Sequence, residues 1–138
     1  MAVRVGDRDE GKLQVIECSK NLVKYTYDRV HSKTLPKADR WLASKSIWDA
    51  VSNAHAHILI ANGIRVESQS DAEERLLHEK LAIGNLDTLI SWIDILNMKK
   101  IISDDQASYW TGLATKTQNI CKAWLKSNKQ QYKQYMGN

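Results

Sequence analysis

The chain has 138 residues, 43% of them apolar and 26% charged, with a net charge of +4. That length suggests one domain, residues 1–138, large enough to bury a core without disulfides or a structural metal. No stretch approaches the ~18 apolar residues of a membrane span, and Met1–Lys12 lacks a secretory apolar segment, so no membrane contact and a cytoplasmic location are expected.

One proline and six glycines leave few helix breakers, which favours long helices. The first helix is expected from Asp9 to Ser32, with Leu13, Ile16, Cys18, Leu22, Val23, Tyr25, Tyr27 and Val30 giving it a broad apolar side. After a short break, Pro36 suits the first turn of a second helix, where its missing N–H costs nothing. That helix carries Trp41, Ile47, Trp48, Val51, Ala54, Ile58 and Ala61, and Asn62-Gly63 reads as its C-terminal signal.

A polar loop follows, and Ser70-Asp71-Ala72-Glu73 reads as a capping box opening the third helix. Leu76, Ile83 and Ile90 form one row, and Leu77, Leu81, Gly84, Leu86, Leu89, Ile93 and Leu96 broaden it. So wide an apolar surface suggests burial on two sides, more than a lone bundle requires. Gly84 either allows close approach of a neighbouring helix or is simply tolerated. Ser103-Asp104-Asp105-Gln106 is a second capping box, opening a fourth helix that runs to about Lys126 and extends, polar and fraying, toward Tyr135. Residues 1–8 and 129–138 are expected to be flexible. The fold class that follows is all-α, an antiparallel up-down-up-down four-helix bundle.

Charge is distributed in blocks. Residues 13–45 hold seven bases and three acids, residues 67–105 hold nine acids and four bases, and beyond Asp105 there are five lysines and no acid. Of these, Lys122, Lys126, Lys129 and Lys133 are spaced four, three and four apart and share one helix face; Lys116 precedes them. Trp110, Leu113, Thr117, Ile120 and Trp124 mark an apolar stripe on the same helix. One side is therefore expected in the core and the other in solvent as a row of ammonium groups able to hold a polyanion. Lys20, Lys24, Lys37, Arg40 and Lys45 add a second basic group in the first two helices.

Catalytic signatures are lacking. A di-iron bundle needs Glu-x-x-His pairs, and none occurs. His55 and His57 are two apart and point away from one another on a helix, so they do not share an ion. His55 is expected as a hydrogen-bonded interior residue and His57 as facing water or a partner subunit. Glu74 and His78 read more simply as a surface ion pair than as metal ligands. There is no nucleophile elbow and no glycine-rich phosphate loop. Cys18 and Cys121 lack metal-site spacing and read as reduced core thiols. Trp48, Trp110 and Trp124 are expected in the core, and Trp41 in the core or a subunit contact rather than stacked on a base. No metal, cofactor or catalytic residue is expected.

Several segments, in order, resemble a known family. They are Leu22-Val23-Lys24-Tyr25-Thr26-Tyr27, Leu35-Pro36-Lys37 followed by Arg40, and Ile58-Leu59-Ile60-Ala61-Asn62-Gly63. Ala82-Ile83-Gly84-Asn85-Leu86-Asp87-Thr88-Leu89, Ile102-Ser103-Asp104-Asp105 and Ile120-Cys121-Lys122-Ala123-Trp124-Leu125 complete the set. Together they resemble the four-helix-bundle family that includes the 23S rRNA intervening-sequence proteins and Avd, the accessory variability determinant of diversity-generating retroelements.

The resemblance implies a ring-like homopentamer of basic four-helix protomers. In the retroelement branch it further implies binding to structured RNA or DNA and to the reverse transcriptase during mutagenic cDNA synthesis. The expected contacts are Lys20, Lys24, Lys37, Arg40, Lys45, Lys116, Lys122, Lys126, Lys129 and Lys133. The alternatives are an intervening-sequence-type protein of unknown role, a protein-docking adaptor without nucleic-acid contact and, more weakly, a metal-dependent bundle enzyme.

Overall fold

The computed structural model describes the backbone over residues 5–32 and 37–136 and the side chains over 14–32 and 43–136. Pro36 and the side chains of Leu13, Lys37, Arg40 and Trp41 lie outside the described residues. Among the described residues there are four α-helices and no strand: α1 (Val5–Val30), α2 (Lys37–Gly63), α3 (Gln69–Met98) and α4 (Asp104–Gln131), with a short 3-10 turn at Lys133–Tyr135.

Each helix packs on its neighbours in sequence, and α1 against α4 closes the bundle. The core runs along the common axis through Val15 and Leu22 of α1, Ile47, Val51, Ala54 and Ile58 of α2, Leu86, Leu89, Ile93 and Leu96 of α3, and Trp110, Ala114 and Cys121 of α4. Among the described residues Trp110 is the largest fully buried side chain, and its Nε1 donates to the equally buried Thr26 Oγ1 at 3.0 Å. The indole thus keeps its one polar group satisfied while its rings fill the α1–α4 seam. Further cross-helix contacts are Ser19 with His55, Tyr27 with Trp48, His57 with His78, Gln118 with Ile83 and Asp87, and Arg75 with Asn128.

The helix ends follow from local chemistry, with two departures from expectation: α1 begins at Val5 rather than Asp9, so residues 5–8 are helical rather than flexible, and α3 is capped by a different serine. At α4, Ser103 accepts from Gln106 N while Gln106 Oε1 accepts from Ser103 N, the reciprocal capping box read in the sequence. At α3 the cap is Ser68, two residues before the expected Ser70; its Oγ accepts from Asp71 N at 3.2 Å. Asp71 in turn accepts from Glu67 N, and Glu73 accepts from Gln69. The sequence offers serine at both 68 and 70, and spacing alone does not choose between them.

α4 runs beyond Lys126 to Gln131 because Asn128 is buried rather than solvated. Of the apolar stripe expected on α4, Trp110 and Thr117 are buried, whereas Leu113, Ile120 and Trp124 are half-buried along its border. Gly84 makes no close approach, since an added Cβ there would meet nothing within 4 Å.

α3 closes in a Schellman motif, with Ile101 N donating to Leu96 O and Lys100 N to Asn97 O, both at 2.9 Å. The motif needs a left-handed residue after the cap, and that residue is Lys100, at φ 58°. A side chain there costs about 1 kcal/mol or more. Lys100→Gly is therefore expected to stabilise the protein by about 0.5–1 kcal/mol, after allowing for glycine's larger unfolded-state entropy. Urea denaturation should show a raised midpoint with an unchanged slope.

Candidate nucleic-acid interface

The lysines of the C-terminal third are displayed as the spacing implies. Lys116, Lys122, Lys126, Lys129 and Lys133 are all exposed. Lys122, Lys126 and Lys129 share one face of α4, and Lys133 follows in the 3-10 turn. Lys116 sits about a third of a turn away by helical geometry. The ion pairs among the described residues are Lys20–Glu17, Arg65–Glu67 and Arg75–Glu79, so no described carboxylate neutralises the α4 lysines.

The acidic helix α3 lies alongside α4 without quenching it. The α3 carboxylate Asp87 is engaged by Gln118 Nε2 at 2.6 Å, and the same amide donates to Ile83 O. Lys122 lies one turn beyond Gln118, on the α3 side of α4.

The other basic residues belong to a different edge. Lys20 is near enough to His55 of α2 to help hold that imidazole below its ordinary pKa, after burial as the larger cause. Lys24 lies one turn further along the same face of α1. Lys45 lines a hollow of about 470 Å³ between α1 and α2, together with Tyr27, His31 and Trp48. Tyr27 stacks on His31 at a centroid distance of 4.1 Å and meets Trp48 edge-on at 5.9 Å. Within one chain the basic residues thus form two patches, α1–α2 and α3–α4, rather than one surface. The Tyr27–His31 stack beside Lys45 was not singled out from sequence. The i, i+4 spacing of the two rings, with a basic residue on the next helix, was its only trace.

The histidines fall partly as expected. His55 Nδ1 shares a 2.5 Å hydrogen bond with Ser19 Oγ, but the ring is half-buried rather than interior. His57 does not simply face water. Its Nδ1 meets Nδ1 of His78 at 2.8 Å across the α2–α3 seam, one ring donating and the other accepting. Burial, and then the neighbouring His78, hold its pKa below the ordinary value. Among the described residues no group of three or more His, Cys, Asp or Glu side chains is arranged to hold a metal ion.

One charged cluster is inside. Arg75 and Glu79, a turn apart on α3, are 4% and 0% exposed. Arg75 Nε donates to Asn128 Oδ1 at 2.8 Å and a terminal nitrogen donates to Ile64 O at 3.0 Å. Its guanidinium carbon lies 5.2 Å from the Trp124 ring centroid and 5.6 Å from that of Tyr132. Glu79 is served poorly: Oε2 is 3.8 Å from Arg75 Nε, and neither carboxyl oxygen has a hydrogen-bond partner among the described residues. Burial pushes its pKa up to about 7 against the opposing pull of Arg75. Cys121 is also deep, its thiol pushed up to about 12 by burial, then by Glu79 and Cys18.

Comparison with protein-family models, characterised proteins and solved structures returned no match for this chain.

Glu79 links stability to pH. Its folded-state pKa, about 7, lies above the ordinary 4.5, so the folded protein holds this proton more tightly than the unfolded chain does. The stabilisation is fully present below pH ~4.5 and is lost as pH rises through ~7, a difference on the order of 3 kcal/mol. Glu79→Gln should remove this component, flattening the stability profile between about pH 5 and 8 in urea titrations.

Proposed function

We propose that this chain is a non-catalytic, nucleic-acid-binding accessory protein of the kind that serves diversity-generating retroelements. Its partners would be structured RNA or DNA and a reverse transcriptase in the cytoplasm. The single observation that carries the reading is the lysine face of α4: Lys122, Lys126 and Lys129, with Lys133 beyond, are exposed and unopposed by any described carboxylate. Nothing in the fold requires four such side chains on one face, and a phosphate chain would satisfy all of them.

The protomer is read as an antiparallel up-down-up-down bundle. Residue pairings that run in opposite senses support it: Thr26–Trp110 with Cys18–Cys121 for α1 and α4, and Arg75–Asn128 with Ile83–Gln118 for α3 and α4. Self-association is supported by α3, whose breadth of apolar residues leaves Leu77 and Leu81 exposed at 52% and 39%. Ile95 and Leu77 are eighteen residues apart, five full helical turns, so Ile95 extends the same exposed row. A second subunit on this face would supply the second-sided burial that the sequence implies. The homopentamer itself rests on the family resemblance. Repetition around a ring would multiply a few weak phosphate contacts per protomer into firm binding.

The same exposed apolar face favours a second reading, a docking adaptor that holds a protein partner and does not touch nucleic acid.

Gel-shift titration with a structured RNA at rising salt separates the two. Binding should be largely sequence-independent and should weaken steeply with salt. Lys122→Gln/Lys126→Gln/Lys129→Gln should lower affinity about tenfold or more and reduce the log–log salt slope by about 2–3. Absence of binding at low salt, or affinity unchanged by salt, overturns the nucleic-acid reading and leaves the adaptor.

A further inference from the structure

A polar cleft of about 430 Å³ opens at the end of the bundle where the α2–α3 loop meets the C-terminal turns of α4. Ligand pockets occupy about 300–1,000 Å³, so it is large enough for a small molecule. Its walls include Asn62, Arg65, Arg75, Gln131, Tyr132 and Tyr135. Two arginines, two tyrosines and, with Gln134, three amides around one opening are more polar recognition chemistry than a bundle end needs.

Arg75 is the reason to look for an anion. It is 4% exposed yet reaches the cleft wall, and its described hydrogen bonds use Nε and one terminal nitrogen. Among the described residues no hydrogen bond engages the other terminal nitrogen. The Glu79 carboxylate stands off from the guanidinium, with Oε2 3.8 Å from Nε. A guanidinium held by Asn128, the Ile64 carbonyl and two aromatic rings is immobilised before any ligand arrives. Such a fork suits the paired oxygens of a phosphate.

Arg65, its side chain 90% exposed and bridged to Glu67 at 3.1 Å, can turn to a stronger anion because surface pairs are worth little.

The rest of the wall selects a nucleotide over a bare phosphate. Tyr132 has one neighbour in Arg75, and the Tyr132 and Tyr135 rings lie 6.4 Å apart at 54°. Tyr135 therefore offers a face on which a base could stack. Asn62 Oδ1 is buried without a hydrogen-bond partner among the described residues. A base or ribose donor would satisfy it; with the amide turned over, the same position donates instead.

We propose that this cleft binds the monoester phosphate of a nucleotide between Arg75 and Arg65, with the base against Tyr135. The phosphate belongs either to a free mononucleotide or to the end of a strand. The strand-end form rests on the nucleic-acid reading above, because the α4 lysines then carry the strand away from the cleft.

The test is titration of the full chain with AMP, adenosine and short single-stranded oligonucleotides with and without a 5′-phosphate. Trp124, beside Arg75, serves as the fluorescent reporter. AMP should bind and adenosine should bind at least about tenfold more weakly, as loss of a charge-assisted pair implies. Arg65→Gln and Tyr135→Ala break no buried hydrogen bond, and each should weaken AMP binding several-fold. Arg75→Lys should abolish the preference for AMP; where that variant loses helicity by circular dichroism, R65Q and Y135A decide.

Equal binding of AMP and adenosine, or AMP binding untouched by R65Q and Y135A, overturns the proposal. A 5′-phosphorylated strand that binds more tightly than both AMP and its unphosphorylated twin assigns the site to strand ends. AMP binding with no effect of strand phosphorylation assigns it to free nucleotide. K122Q/K126Q should weaken both strands equally and leave AMP unchanged. Absence of all strand binding by the unsubstituted chain, with AMP binding intact, would remove the lysine-face reading alone.

Discussion

A guanidinium does not sit inside a helical bundle without fixed partners, and the way Arg75 is satisfied shapes one end of this molecule. Removing such a cation from water costs several kcal/mol unless hydrogen bonds and facing charge replace the lost hydration. Here the replacements come from three places: Ile64 in the loop after α2, Asn128 late in α4, and the rings of Trp124 and Tyr132. Each partner is drawn to a fixed position. The loop is tied down, α4 is kept helical past Lys126, and the 3-10 turn is placed beside the loop. Lys129 thereby sits in α4 and Lys133 in the 3-10 turn, and the polar cleft acquires its walls.

Much of the scaffold was legible because it depends on local rules. Asn62-Gly63 ended α2, Ser103 and Gln106 opened α4 with the expected reciprocal bonds, and the 122–126–129 spacing placed three ammonium groups on one face. What escaped depends on neighbours that a one-dimensional pattern does not contain. Arg75 lies in an acidic helix and reads as a surface residue; only Asn128, fifty-three residues later, makes its burial tolerable. Glu79 reads as one more solvated acid for the same reason. The His57–His78 contact joins two helices across a loop, so the correct deduction that His57 points away from His55 did not reveal what it points toward. Gly84 was ambiguous because close approach is a property of two helices, and the partner backbone is absent.

The two basic patches explain how a chain of modest net charge can present strong local fields. Charge near α4 stays unbalanced although the most acidic helix lies next to it, because Asp87 at the seam is held by the Gln118 amide instead of by a lysine. An amide is neutral, so that bond fixes the helix register without cancelling any charge. Of the other α3 acids, Glu79 is buried beside Arg75, while Glu73, Glu74 and Asp94 are exposed, where their effect on α4 is screened by water and salt. Separation into α1–α2 and α3–α4 edges also means that, among the described residues, either edge offers three or four cations. Continuous coverage of a polyanion would need copies set side by side, and under the proposed self-association the exposed row of Leu77, Leu81 and Ile95 on α3 would be the apolar surface they share.

Arg75 and Glu79 also join stability to electrostatics at the cleft. With Glu79 protonated, the interior of this end carries a single positive charge; with Glu79 ionised, the two charges largely offset one another. The first state suits an anion in the cleft and the second opposes it, since the carboxylate and the anion would compete for the same guanidinium. Any anion that settles near Arg75 must therefore raise the proton affinity of Glu79 further, by the reciprocity of linked equilibria. A carboxyl group whose pKa lies near 7 is the one placed to respond. The poor hydrogen bonding of Glu79, unfavourable as a packing solution, leaves Arg75 only loosely neutralised at 3.8 Å and its charge open to a better-placed anion.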